Sequence, residues 1–209
     1  MLNLPSILAW SAAALLSGAS PRLPAQYLPV PITLQATDYS CGAAAVLSVL
    51  TYWQAWAGHE ADLYGLLETT QKDGTHPVKM AEGLRALGLQ ARVQLEMSLA
   101  DLRASLARRE TVILDIQAWP VRGDPMPPWS DLWDDGHYVV LVAMDDHFVY
   151  VMDPSTSTGY TWMPAQELLE RWHDFEDRNG PIEKHERLGI IVSGKTPLPS
   201  FPAPLTRLE

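Results

Sequence analysis

One cysteine, Cys41, is all that the 209 residues contain. An internal disulfide framework is therefore excluded, as is a cysteine-based zinc site, which needs several thiolates at short spacing. Histidines number six and show no H-E-x-x-H spacing, so no metal is expected. Cations are scarce: 15 Lys and Arg stand against 25 Asp and Glu, for a net charge of −10. Without a basic stripe to track phosphates, nucleic acid is excluded as a partner. The acidic balance suits neutral or basic substrates, although it also serves solubility. Neither G-x-G-x-x-G nor G-x-x-x-x-G-K-[ST] occurs, so no nucleotide cofactor is expected. What remains is a chain 47% apolar, ample for the core of one domain.

Residues 1–25 differ in character from the rest. Leu2 to Ala19 is almost wholly apolar and small, and Ser17, Gly18 and Ala19 offer the small side chains that a signal peptidase reads. No Lys or Arg precedes the run, and Pro5 with Ser6, Ser11 and Ser17 weakens it as a membrane span. The segment reads as a signal peptide or an N-terminal apolar segment: secreted or periplasmic if cleaved, cytoplasmic otherwise. Residues 22–31 are proline-rich and read as an extended linker. The domain is expected over 26–195, followed by a proline-rich tail over 196–209 lying loosely on the surface.

Within the domain, apolar spacing predicts helices over 41–56, 61–70 and 77–87, the last with Pro77 in its first turn and Gly88 as a left-handed cap. Ser98 and Asp101 form a capping box before a fourth helix through Leu99, Leu102 and Leu106. After Glu110 the period falls to two. Strands are expected over 111–117, 138–144, 148–152, 159–163 and 188–192, with a short helix over 164–172. Helices first and strands later indicate an α+β fold with an antiparallel sheet.

Cys41 stands where a loop becomes the first helix. A thiol there meets the partial positive charge of unpaired N–H groups, which favours the nucleophilic thiolate. Thiol catalysis further needs a base, a group that holds the base in one tautomer, and oxyanion donors. His137 opens one strand of a predicted hairpin and Asp153 closes the other, equidistant from residue 145. With an odd number of turn residues they are expected directly opposite on one face. Gln35, six residues before Cys41, is a suitable amide donor for an oxyanion, with the Cys41 N–H as the second. Asp38 is expected to cap the helix or its preceding turn. His147, in the turn, and His173, at the end of the last helix, are weaker candidates for the base. Trp119, Trp129 and Trp133, on a loop with Pro120, Pro125, Pro127 and Pro128, are expected either to wall a substrate cleft or to lid the domain's own core.

The combination of Gln35, Cys41-Gly42 at a helix start, His137 on a strand and Asp153-Pro154 one strand later resembles the papain-like cysteine peptidases. Within them it is most similar to the bacteriocin-processing, double-glycine-leader peptidases and their stand-alone relatives, over residues 30–193. The resemblance implies a helical half carrying the nucleophile, packed on an antiparallel sheet. It also implies roles: Cys41 as nucleophile, His137 as base and later acid, Asp153 as the orienting group and Gln35 as oxyanion donor, acting on a peptide or protein substrate without cofactor. An acyltransferase of the same superfold, transglutaminase-like or phytochelatin-synthase-like, and a non-catalytic binding module are the alternatives.

Overall fold

A computed structural model describes residues 21–119, 127–177, 181–201 and 204–208. The expected signal segment up to residue 20, and Pro120 and Pro125, lie outside them. Helix α1 (Cys41–Tyr52) is apolar on nearly all its circumference and mostly buried. The buried Ser48 hydroxyl donates to the Pro31 carbonyl. Helices α2 (Glu60–Leu67) and α3 (Pro77–Ala86) pack beside it. Strand β1 (Gln90–Gln94) follows, then α4 (Leu99–Ala107), capped by Ser98 and Asp101 as the spacing predicts.

Strands β2 (Thr111–Gln117), β3 (Gly136–Met144), β4 (Phe148–Met152) and β5 (Tyr160–Pro164) come next, then helix α5 (Ala165–Arg171). Strands β6 (His173–Glu176), β7 (Glu183–Glu186), β8 (Gly189–Ser193) and β9 (Leu205–Arg207) complete the chain. The main sheet has the order β1-β8-β2-β3-β4-β5-β9, and β6 pairs with β7 in a separate ribbon. Helices cover both faces of the sheet. Ile113, Tyr138, Val140 and Ile190 face α1, α2 and α3, while Leu114, Val139, Leu141 and Ile191 face α4 and α5. This double cover explains why β2 reads as a continuous buried run rather than an alternating one.

Three expectations need correction. The tail is not loose: β9 pairs in parallel with β5, making the sheet mixed, and Leu208 is buried beside it. The edge of β5 offers unpaired backbone groups that three residues suffice to cover. The linker is likewise docked, with Leu28 and Val30 in the core and the Leu28 N–H on the Val142 carbonyl. The hairpin register differs too. Met144 faces Val149, and continuing that pairing unchanged would put Asp153 on the face opposite to His137. A β-bulge between Leu141 and Ala143 restores the parity. Asp153 then falls beside Val139, diagonal to His137 on the same face.

Candidate active site

The loop before α1 is a turn held by Ser40, whose hydroxyl accepts from the Thr37 N–H at 3.0 Å and donates to the Thr37 carbonyl at 3.2 Å. Ser40, not Asp38, occupies the N-cap position. With its side chain turned back to Thr37, it makes no cap bond, and no acidic residue stands in the first turn. Asp38 is exposed on the turn. The first-turn N–H groups beside the half-buried Cys41 therefore keep their partial positive charge free of a capping carboxylate. Gly42 sets the depth of this helix start: a Cβ there would stand 2.8 Å from Thr75 Cβ and 3.2 Å from the Tyr138 ring.

His137 is 1% exposed, and its Nε2 lies 2.7 Å from Asp153 Oδ1. Asp153 also accepts from the Ser155 N–H at 2.8 Å and the Ser155 hydroxyl at 2.8 and 2.9 Å. Burial pushes the Asp153 carboxyl up, but the bonds from His137 and Ser155 outweigh it and hold the group below the usual carboxylate range. The opposite balance governs the ring. Burial disfavours the imidazolium, yet Asp153 and the Cys41 thiol together raise His137 from 6.5 to about 9. The second ring nitrogen, Nδ1, is buried and makes no conventional hydrogen bond among the described residues. The Cys41 thiol is among the groups that act on the ring.

Trp119 lies over the ring, 4.9 Å between centroids, and is itself 43% exposed. Its backbone is left-handed, at φ 51°, a costly conformation for a bulky residue. The strained turn holds an indole between solvent and the His137–Asp153 bond. Gln35 donates its Nε2 to the Thr37 carbonyl at 2.7 Å, and its backbone N–H reaches the Pro154 carbonyl at 2.9 Å. The loop entering α1 is thereby tied to the loop carrying Asp153. Trp133 lines a cleft of about 410 Å³ with Cys41, whereas Trp129 is 7% exposed and lies under Arg171, 3.8 Å from guanidinium to ring. Trp129 thus packs the interior, because the buried guanidinium needs a polarisable surface against it. His173 bonds the Leu132 carbonyl at 2.7 Å and stacks on Trp133, while His147 sits in the β3–β4 turn.

Sequence reasoning missed Ser155 and a second polar group behind the cleft. Arg171, 0% exposed, donates Nε to the Gln117 carbonyl at 2.6 Å and Nη1 to Glu167 at 2.9 Å. Gln117 in turn donates to Asp174 Oδ1 at 3.1 Å. Asp115, beside it in β2, is fully buried. A carboxylate in the run Thr111–Gln117, otherwise nearly all apolar, is the signal that could have revealed this group.

The fold is α+β, with a helix that begins at a lone thiol packed on a sheet whose strands carry a buried imidazole–carboxylate pair. The sequence profile of the Peptidase C39 family matches residues 29–175, and the chain belongs to that family. It is a cysteine peptidase. Curated proteins offer no match. Among solved structures, a double glycine motif protease from an AMS/PCAT transporter, in complex with its leader peptide, is 18% identical with a TM-score of 0.56, covering 82% of this chain and 96% of that one. The peptidase domain of Streptococcus ComA is 18% identical with a TM-score of 0.55, covering 79% and 99%. A C39-like peptidase from Bacillus anthracis is 16% identical with a TM-score of 0.56, covering 80% and 96%. At these identities the likeness concerns the fold.

Proposed function

We propose that Cys41, His137 and Asp153 form the catalytic triad and that peptide bonds are hydrolysed through an acyl-enzyme. The observation that carries this reading is the buried His137–Asp153 bond of 2.7 Å on a ring whose proton affinity the Cys41 thiol raises. His137, raised to about 9 by Asp153 and the neighbouring sulfur, takes the proton that the thiol gives up. The thiolate attacks the carbonyl carbon, and the developing oxyanion meets the Cys41 N–H and the Gln35 amide, whose second N–H is not used by Thr37. His137 then protonates the leaving amine. Water, activated by the same imidazole, attacks the thioester and releases the acid. Asp153, ionised and anchored by Ser155, keeps the ring in one orientation throughout.

The substrate is a peptide or protein held in the cleft lined by Cys41 and Trp133. The leader peptide bound by the transporter protease supports a peptide ligand for this chain as well. The domain runs from 26 to 195 in this reading, with β9 as an added strand, and residues 1–25 serve as a signal peptide or an N-terminal apolar segment.

Labelling with a peptidyl thiol reagent, followed by mass spectrometry, tests the nucleophile. Label and peptide cleavage are expected to disappear together in Cys41→Ala. Water is expected to release the trapped acyl group faster than added amines do. Cleavage retained by Cys41→Ala refutes the triad; preferential release by amines replaces hydrolysis with acyl transfer.

A further inference from the structure

Gln35, read above as an oxyanion donor, is held by three hydrogen bonds. Its backbone N–H donates to the Pro154 carbonyl at 2.9 Å, which sets the peptide plane before its Cα. The next N–H, that of Ala36, donates to the Glu60 carboxylate, 3.0 Å from Oε2 and 3.3 Å from Oε1, which sets the plane after it. Because each peptide unit is rigid, holding both planes constrains the φ and ψ of Gln35 together. The side-chain amide is then aimed by its bond to the Thr37 carbonyl at 2.7 Å. Of these three partners, Pro154 and Thr37 offer main-chain oxygens, and only Glu60 offers a side chain.

Glu60 opens α2 and is 7% exposed, 24 residues beyond Ala36 in the chain. A glutamate is rarely buried so far unless its charge is answered by hydrogen bonds. Capping is not the reason for its burial, since Asp62 takes that contact, accepting from the His59 N–H at 2.9 Å. The Glu60 oxygens are instead spent on the Ala36 N–H and on the Tyr64 hydroxyl, which donates to Oε1 at 2.9 Å. Tyr64 stands one turn along α2, and its ring meets that of Tyr39 with centroids 6.3 Å apart. Tyr39 lines the cleft with Cys41. Glu60 and Tyr64 therefore grip the loop before the nucleophile at two points, Ala36 by a charge-assisted bond and Tyr39 by ring contact.

We propose that Glu60, steadied by Tyr64, is the positioning residue of the oxyanion hole and holds the Gln35 amide where the substrate oxygen becomes charged. The inference rests on the reading of Gln35 as an oxyanion donor and deepens it. Glu60 does not line the cleft; it acts through the Ala36 peptide. Oxyanion donors work by being aimed in advance, and a displacement of about 1 Å can cost a hundredfold in rate. Without the carboxylate the peptide plane between Gln35 and Ala36 is free to turn, and the amide turns with it.

Two thiol reagents on the full chain separate this role from a merely structural one. A peptide aldehyde is attacked at its carbonyl carbon: the C–S bond forms, the electron pair of the C=O bond moves to oxygen, and that oxygen draws on the donors. Iodoacetamide loses iodide from a saturated carbon and forms no oxyanion. Removing a donor outright costs about a hundredfold or more in kcat, so misaiming it is set at tenfold or more. Glu60→Ala is therefore expected to lower kcat and aldehyde affinity at least tenfold, with KM within threefold and the iodoacetamide rate at Cys41 within twofold of wild type. Glu60→Gln, whose amide oxygen still accepts from Ala36, should restore kcat to within threefold. Tyr64→Phe removes only the hydroxyl that steadies Glu60; it should cost kcat and aldehyde affinity at least threefold, and it serves if Glu60→Ala does not fold. Gln35→Ala is the reference, expected to lose aldehyde affinity while keeping its iodoacetamide rate. If it does so and the Glu60 and Tyr64 variants keep their aldehyde affinity, the positioning role is overturned and the reading of Gln35 stands. Equal losses with both reagents in Glu60→Ala also overturn it, leaving a structural residue. Aldehyde affinity undiminished in Gln35→Ala overturns the reading of Gln35, and the role of Glu60 with it.

Discussion

Replacing Asp153 by Asn probes the electrostatic core of the site while retaining the size of the side chain. In the wild-type protein the rise of His137 from 6.5 to about 9 corresponds to roughly 3 kcal/mol favouring the imidazolium. A hydrogen bond to a charged partner is worth about 1.5–3 kcal/mol. The bond to Asp153 is 2.7 Å long and shielded by Trp119, so its ionic part is set at about 1.5–3 kcal/mol, or one to two pH units at 1.36 kcal/mol per unit. The Asn amide can still accept from Nε2, so the ring stays in place. The alkaline limb of kcat/KM, near pH 9 in the wild type, is therefore expected near pH 7–8 in Asp153→Asn. The pH dependence of Cys41 alkylation by a neutral reagent reports the same pair, whose two titrations are macroscopic properties of the couple. Stability follows the same linkage. A histidine raised in the folded state contributes fully below its unfolded value of about 6.5. That contribution is lost as pH rises through about 9. Wild type minus variant stability, by urea unfolding, should thus shrink between these values. An alkaline limb unmoved in a variant that folds normally refutes the assignment of the ring's charge to Asp153.

Three further variants follow from packing and from the cleft. Trp129→Ala removes the surface beneath the buried Arg171 guanidinium and should cost about 3–5 kcal/mol in denaturant unfolding, with KM nearly unchanged; Trp133→Ala, at the cleft, should raise KM severalfold with a smaller loss of stability. Gly42→Ala places a methyl group against Thr75 and Tyr138, costing about 1–3 kcal/mol and lowering kcat at least tenfold by displacing Cys41, measurable as slower alkylation by a neutral reagent.

What the chain determined alone was local and periodic. Strand β2, strand β4 and the Ser98–Asp101 cap fall where the spacing predicts, because an apolar period and a capping pair act within a few residues. The placement of Cys41 at a helix start is of the same kind, since a loop rich in turn-forming residues ends where the apolar helix begins. Tertiary structure decided the rest. His137 and Asp153 share a face only because a bulge in β3 corrects an even-numbered turn, and a bulge depends on partners that no local pattern contains. Trp129 and Trp133 have the same local character, yet one is buried under Arg171 and the other faces the cleft, as their distant neighbours require. Short strands β1, β6, β7 and β9 carry too little alternation to be read, and exist because a sheet edge or a ribbon partner satisfies their backbone groups. Asp115 could be seen in the sequence as an oddity in an apolar strand. That it faces Asp174 beside a reactive thiol depends on strands β2 and β6, which meet only in the folded molecule.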